Sequence, residues 1–445
     1  MSCCCCERWL EQVWRPVDLA PVGRHQFKSC HELCCRRPLW WLAVLLPMLW
    51  LGFLARANGA GSLPANPEHV LPLAEETRGV WMWSSDMRPE GAEAAAERLR
   101  QHHINKVYFL VKGCGGRVCY PSKIAPASSA DGDALQEILD ACHKRHIEVH
   151  AWYMFNSDSA WGQKHPEDVM WRAGKPDDWK LGPQRAGDGQ TIHICPLSQG
   201  YLAYLKSQIQ EVLDHYAVDG IHLDGIRYSH AQYCFCPRHQ ALAATNGIHL
   251  DKVREAIYDT FYAPQKKRDR YFSLYRSGDP DVTKWVGQRV KEIDGVVKEI
   301  RGMVKARNPA LVVSASFMPE GGERDDTFAL CHYAQNYASA GAELDYILPM
   351  TYHKTFGQTP AWVVQIAQNA EQKSHRPVYS GIQGFGRDLT KVPLDAQDKA
   401  ANPDPSGASS QDLREAVLAI EKQGIKGFVL FRYGSLTDQM WEALP

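Results

Sequence analysis

The stretch DGIHLDGIRY (residues 219–228) interleaves the strand formers Ile221, Leu223 and Ile226 with His222, Asp224 and Arg227. Ionised groups within a buried strand need a reason, because taking a lone carboxylate out of water costs several kcal/mol. In a barrel, strand side chains alternate between the lumen and the surrounding helices. That alternation turns Ile221 and Leu223 outwards and Gly220, His222 and Asp224 inwards, with Asp224 last, at the C-terminal mouth. A carboxylate there meets water, Arg227 and a substrate. The same spacing also fits an Asp held by Arg227 to brace the loop.

Working outward, apolar runs of strand length occur at 78–83, 105–111, 148–155, 219–227, 311–317, 345–352, 377–385 and 426–433. Helical patterns lie between most of them, at 90–102, 133–145, 199–216, 284–306, 360–373 and 410–423, with a weaker one near 328–340 and a short one at 437–444. Eight strands alternating with helices over residues 77–445 predict an α/β fold, a (β/α)8 TIM barrel. It is longer than the ~250 residues typical of that fold. The excess falls in insertions at 156–198, 229–283 and 386–409, each after a strand, where barrel enzymes build their sites. A doubly wound sheet fits the same alternation, but no Gly-rich phosphate turn follows the first strand.

Ahead of the barrel, residues 39–55 (LWWLAVLLPMLWLGFLA) form an uncharged apolar run preceded by Arg36 and Arg37 and ending near Ala55 and Ala57. This describes a signal, or a retained anchor, within a leader of residues 1–57, followed by a Pro/Ala/Glu-rich linker at 58–76. Either sends the barrel across a membrane, to a periplasmic, extracellular or outward-facing anchored location. The membrane is engaged only through this segment. The leader's seven cysteines, Cys3 to Cys6, Cys30, Cys34 and Cys35, are candidates for acylation. Seven more follow: Cys114, Cys119, Cys142, Cys195, Cys234, Cys236 and Cys331. In an oxidising compartment GCGGRVCY predicts a local Cys114–Cys119 bridge. A formal net charge of −1 leaves no electrostatic footprint for nucleic acid.

Residues 78–436 resemble the glycosyl hydrolase-like 10 family of secreted bacterial proteins. The resemblance rests on RGVWMW, NKVYFLV, CYPSKIAP, ILDACHKRHIEVHAWYMF, YAVDGIHLDGIRY, DYILPMTYH and GFVLFRYGSL together. It implies a TIM barrel that hydrolyses glycosidic bonds, with denuded peptidoglycan the substrate of one relative. It also places Asp224 at the family's strand-4 carboxylate. Three positions depart from the pattern. Gly225 stands where many relatives have a second acid, the strand-5 end reads SASFMPEGGERDD, and His146 replaces a helix-ending glycine.

Glycoside hydrolysis needs one carboxyl group to protonate the leaving oxygen and another to attack or activate water. Asp224 is the first candidate. The loop after strand 5 offers Glu320, Glu323, Asp325 and Asp326, of which Glu320 is nearest the strand end. His150, Trp152 and Asn156 share one parity on strand 3. Trp83, Tyr352, His353, Arg432 and Tyr433 end other strands, and Arg227 and Tyr228 follow Asp224. Rings at such positions stack on sugars; polar groups bind hydroxyls. No cofactor is called for. CFCPRH (Cys234, Cys236, His239) has ligand spacing but no obvious fourth ligand, and HKRHIEVH crosses a helix–strand junction, so no metal is assigned. The expected activity is hydrolysis of a cell-wall or matrix polysaccharide. The alternative is a non-catalytic glycan-binding barrel. A metal-dependent amidase or deacetylase is disfavoured by the weak ligand clusters.

Overall fold

The computed structural model describes residues 76–128, 132–173, 191–263, 269–385 and 407–445. The leader, its apolar run, the linker up to residue 75 and most of the 386–409 insertion lie outside the described residues. Eight strands follow in order: β1 (Thr77–Met82), β2 (Lys106–Lys112), β3 (Glu148–Met154), β4 (Gly220–Asp224), β5 (Val312–Phe317), β6 (Tyr346–Pro349), β7 (Ser380–Gln383) and β8 (Gly427–Phe431). They pair in parallel in the order β6-β5-β4-β3-β2-β1-β8-β7. The circuit closes between β6 and β7, where Ile347 N donates to Pro377 O (3.2 Å) and Tyr379 N donates to Ile347 O (3.1 Å). This is a (β/α)8 TIM barrel, nearly closed.

Each strand is followed by a helix of the outer ring, with shorter helices in some of the connections: α1 (Ala92–Gln101), α2 (Ala134–His143), α3 (Gln199–His215), α4 (Pro280–Arg307), α5 (Thr327–Tyr333), α6 (Pro360–Ser374), α7 (Ser410–Lys422) and α8 (Asp438–Glu442). Their starts are set by caps that satisfy orphan backbone donors. The Asp133 side chain accepts from Gln136 N and Ser198 from Tyr201 N; Asp279 accepts from Asp281 N and Val282 N, with Pro280 in the first turn. Asp279 thus starts α4 four residues earlier than the apolar periodicity predicts. The 229–283 insertion is itself helical, with helices at Pro237–Thr245, Leu250–Phe261 and Arg270–Arg276. No helix among the described residues is long and apolar enough to cross a membrane.

Two cores result. Outward-facing strand residues such as Val80, Phe109, Ile221, Leu223 and Val313 pack against the helices. Trp81, Tyr108, Trp152, Met154, Tyr346 and Leu348 fill the lumen. Full burial of each large apolar side chain contributes roughly 1.5–3 kcal/mol. The deep lumen is also polar. Lys106 pairs with Glu148 (2.9 Å), His150 Nε2 with the same carboxylate (3.0 Å), and Tyr108 donates to the Tyr346 hydroxyl (3.0 Å). Above these, His222 meets the Ser314 and Ser316 hydroxyls, both at 2.9 Å. Burial pulls the His150 and His222 pKa values down. The barrel interior is therefore filled by packed rings and paired polar groups.

The expected Cys114–Cys119 bridge does not form. Residues 112 and 118 pair antiparallel across the turn that holds Cys114. Cys114 packs in the lumen cluster and Cys119 in the outer core.

Gly220 is required where β4 crosses His150. A Cβ there would lie 2.5 Å from His150 Nδ1 and 2.7 Å from the Val312 carbonyl oxygen. Gly220→Ala should therefore destabilise the barrel by about 1–3 kcal/mol, as overpacked cores do. Urea unfolding with unchanged m-value is the check.

Candidate active site

Asp224 ends β4 at the mouth, 5% exposed. Its Oδ1 accepts from the Gly225 amide (2.6 Å) and pairs with Arg227 Nη1 (3.3 Å). Gly225 turns the chain with φ +62, and a Cβ there would lie 2.6 Å from Asn156 Oδ1. This explains why the chain lacks a second acid beside Asp224. Asn156 also donates to the Arg227 carbonyl oxygen (3.0 Å), so it braces the turn that carries Arg227.

Glu320 sits in the 3-10 turn Pro319–Gly322, directly after β5. The other three acids of this loop are engaged elsewhere. Glu323 accepts from Trp362 Nε1 (2.6 Å), Asp325 pairs with Arg276 (3.1 Å) and Asp326 with Lys373 (2.9 Å). The Glu320 Oε2, by contrast, is buried and has no hydrogen-bond partner among the described residues. Burial pushes its carboxyl up to about 7, against the opposing pull of Arg227. Tyr333 and Tyr337 flank it; burial and then the Glu320 charge hold both phenols well above their usual range. Arg227 thus acts on both candidate acids.

Tyr352 joins them from the end of β6. Its phenol is raised first by burial and then by Asp224, and lowered by Arg227. Tyr352 packs on Phe431 (5.5 Å) and Phe385 (5.8 Å), and Trp152 lies 6.4 Å from Phe431, so these rings floor the mouth. Trp152 Nε1, Trp83 Nε1 and both His353 ring nitrogens are buried without hydrogen-bond partners among the described residues. Donors and acceptors of this kind suit a hydroxyl-rich ligand. Arg432 stacks on Trp83 (3.6 Å) and pairs with Asp86.

Three expected binding residues lie away from the mouth. His150 has the parity of Trp152 but sits deeper, level with Gly220 and held by Glu148. Tyr228 points outward, because the positive φ at Gly225 breaks the strand alternation. Its hydroxyl meets His239 Nε2 (2.7 Å) and donates to Glu292. Tyr433 falls in the 3-10 turn after β8, bonded to Glu90 and packed on Trp441. The Cys195 thiol, on the segment after β3, meets Cys236 and His239 of CFCPRH, a neighbour that the local spacing does not reveal.

Two positioning residues escape a reading by strand ends. The Gln335 side chain donates to the Ile226 (3.3 Å) and Ser316 (3.2 Å) carbonyl oxygens and accepts from Met318 N (2.9 Å). It fixes the Asp224 loop against the Glu320 loop. Lys112, fully buried, donates to the Met154 and Ser157 carbonyl oxygens and the Tyr201 hydroxyl, each at 2.8 Å, and pairs with Asp158 (3.1 Å). It anchors the loop after β3 that carries Asn156.

An acid-lined mouth on a (β/α)8 barrel is the architecture of carbohydrate-processing barrel enzymes. The chain belongs to the glycosyl hydrolase-like 10 family, which it matches over residues 76–401. It is similar in structure to the PgaB (BpsB) glycoside hydrolase domain from Bordetella bronchiseptica, with TM-score 0.58 and 13% identity, covering 83% of this chain and 96% of that one. It also resembles a β-galactosidase from Marinomonas ef1 (TM-score 0.53, 12% identity, 83% of this chain and 58% of that one). An α-L-fucosidase isoenzyme 2 from Paenibacillus thiaminolyticus gives TM-score 0.51 at 16% identity, covering 83% and 48%. At these identities the likeness is one of fold. No curated protein matches the chain by sequence.

The raised carboxyl of Glu320 has a measurable signature. Its folded pKa of about 7 exceeds its ordinary value of 4.5, so the folded state holds the proton more tightly. Folding stability therefore falls as pH rises from about 4.5 to 7. Glu320→Gln, which carries no such charge, should gain on the order of 1–3 kcal/mol over wild type between pH 4.5 and pH 8. Denaturant unfolding at both pH values tests this; a constant difference would mean that Glu320 titrates normally.

Proposed function

We propose that this chain is an exported glycoside hydrolase of a bacterial cell-wall or matrix polysaccharide, with denuded peptidoglycan the foremost candidate. The observation that carries the reading is the contrast between the two carboxyls at one mouth. Asp224 is ion-paired with Arg227, whereas Glu320 is half-buried with its Oε2 out of solvent, and burial pushes its carboxyl up to about 7. Such a pair of environments supports a reading in which one carboxyl is the acid and the other its partner. Glu320 donates its proton to the leaving glycosidic oxygen. Asp224, as carboxylate, attacks or stabilises the oxocarbenium-like anomeric centre. Arg227 holds Asp224 in place, and the Trp152, Tyr352 and Phe431 rings offer a surface for the sugar. Family membership and the glycosidase names of the structural neighbours support the same class.

Release of reducing ends from denuded peptidoglycan and from a panel of matrix polysaccharides tests the activity. Asp224→Asn should keep glycan binding and lose about 10²–10⁴-fold in kcat/KM. Undiminished turnover in that variant would leave the Asp224–Arg227 pair a brace for the loop. Glu320→Gln should fall as steeply on native glycan but much less on substrates with good leaving groups, which need no proton. Equal loss on both would remove Glu320 as the acid. Binding without hydrolysis on every glycan would make the protein a non-catalytic glycan-binding barrel.

Export rests on the apolar run 39–55 and its basic flank. N-terminal sequencing of secreted material should find a start just after Ala57. Full-length chain found only in membranes would instead identify an anchor.

A further inference from the structure

In the outer core, on the segments that follow β3 and β4, Cys195, Cys234, Cys236 and His239 are all buried, and one ligand atom from each lies within 4.8 Å of the others. We propose that these four residues bind a zinc ion in a closed tetrahedral site. The spacing fits that ion. Zn–S bonds of about 2.3 Å and Zn–N bonds of about 2.0–2.1 Å in a tetrahedron set S···S near ~3.8 Å and S···N near ~3.5 Å. Cys195 Sγ lies 3.7 Å from Cys236 Sγ, and His239 Nδ1 lies 3.3 Å from Cys236 Sγ and 3.6 Å from Cys195 Sγ. A disulfide would need sulfurs about 2.05 Å apart.

The surroundings also fit. A ligating imidazole presents one nitrogen to the metal and usually donates from the other to a carboxylate. His239 Nε2 lies 2.9 Å from Glu292 Oε2, and that carboxylate is held by Tyr228 and by Gln288 Nε2 (3.2 Å to Oε1). The Trp171 amide donates to Cys234 Sγ (3.3 Å), a backbone bond that suits a thiolate. Three thiolates and an imidazole are soft ligands that select zinc over magnesium or calcium. Four protein ligands fill the coordination shell, so the ion is structural and leaves no position for water or substrate.

Its place gives it work to do. Cys195 comes from the segment after β3; Cys234, Cys236 and His239 come from the segment after β4 and the first turn of Pro237–Thr245. Ile194 N, next to Cys195, donates to the Asn156 carbonyl oxygen (2.9 Å), and Tyr228, next to Arg227, contacts His239. The ion would therefore staple together the two loops that position Asn156 and Arg227.

The test is elemental analysis of the full chain purified without chelator, where about one zinc per chain is expected. Cobalt substitution should give the thiolate charge-transfer band and intense d–d bands of a tetrahedral site. Glu292→Gln should keep the ligands but weaken zinc about 10–100-fold in competition with a chelator. Cys236→Ser should lose the metal, whereas Cys142→Ser, a thiol in the outer core, should keep it. Metal-free chain with reduced thiols, or a Cys195–Cys236 disulfide in the purified protein, would overturn the site. So would zinc whose affinity is indifferent to Glu292→Gln, since the ion would then lie elsewhere.

Discussion

A guanidinium set between two carboxyls governs the mouth of this barrel. Arg227 is 1% exposed, and a buried cation must find a counter-charge or be expelled. It pairs with Asp224 at 3.3 Å and also exerts its field on Glu320. Burial raises the Glu320 carboxyl to about 7, and the Arg227 charge only partly opposes that rise. The two carboxyls therefore sit in different environments beside one guanidinium. Asn156 and Gln335 matter because they hold the turns on which this three-body arrangement depends.

The same rule runs through the rest of the interior. Lys106 and Lys112 are buried, and each meets a carboxylate, Glu148 and Asp158 respectively. Lys112 further satisfies three oxygen acceptors, which makes it a tether between the end of β2 and the loop after β3. Beneath the mouth, Trp81, Tyr108, Trp152 and His222 occlude the lumen. A saccharide would meet a floor of rings rather than a channel.

Much of this was legible in the sequence, and the remainder was hidden for identifiable reasons. Strand runs and helical periodicity predict the barrel because each element buries one recognisable face. Parity along β4 places Asp224 and His222 in the lumen, where the structure has them. Parity does not give depth, which is why His150 reads like Trp152 yet lies below it. Alternation also ends where the backbone leaves the extended region: Gly225 redirects Tyr228, and the turn after Phe431 redirects Tyr433. Gln335 and Cys195 act through contacts far apart in the chain, with no local pattern to announce them. The Glu320 environment depends on what its loop neighbours pair with, which only three dimensions reveal.

The turn at Gly225 also shapes how this sequence can evolve. An acid at that position would require a left-handed side-chain residue and the space now held by Asn156 Oδ1. Moving Asn156 would in turn release the carbonyl of Arg227. Any side chain at 225 therefore strains the turn and pushes on the amide that braces it, so a substitution there is felt through the backbone of residue 227 rather than through its own contacts.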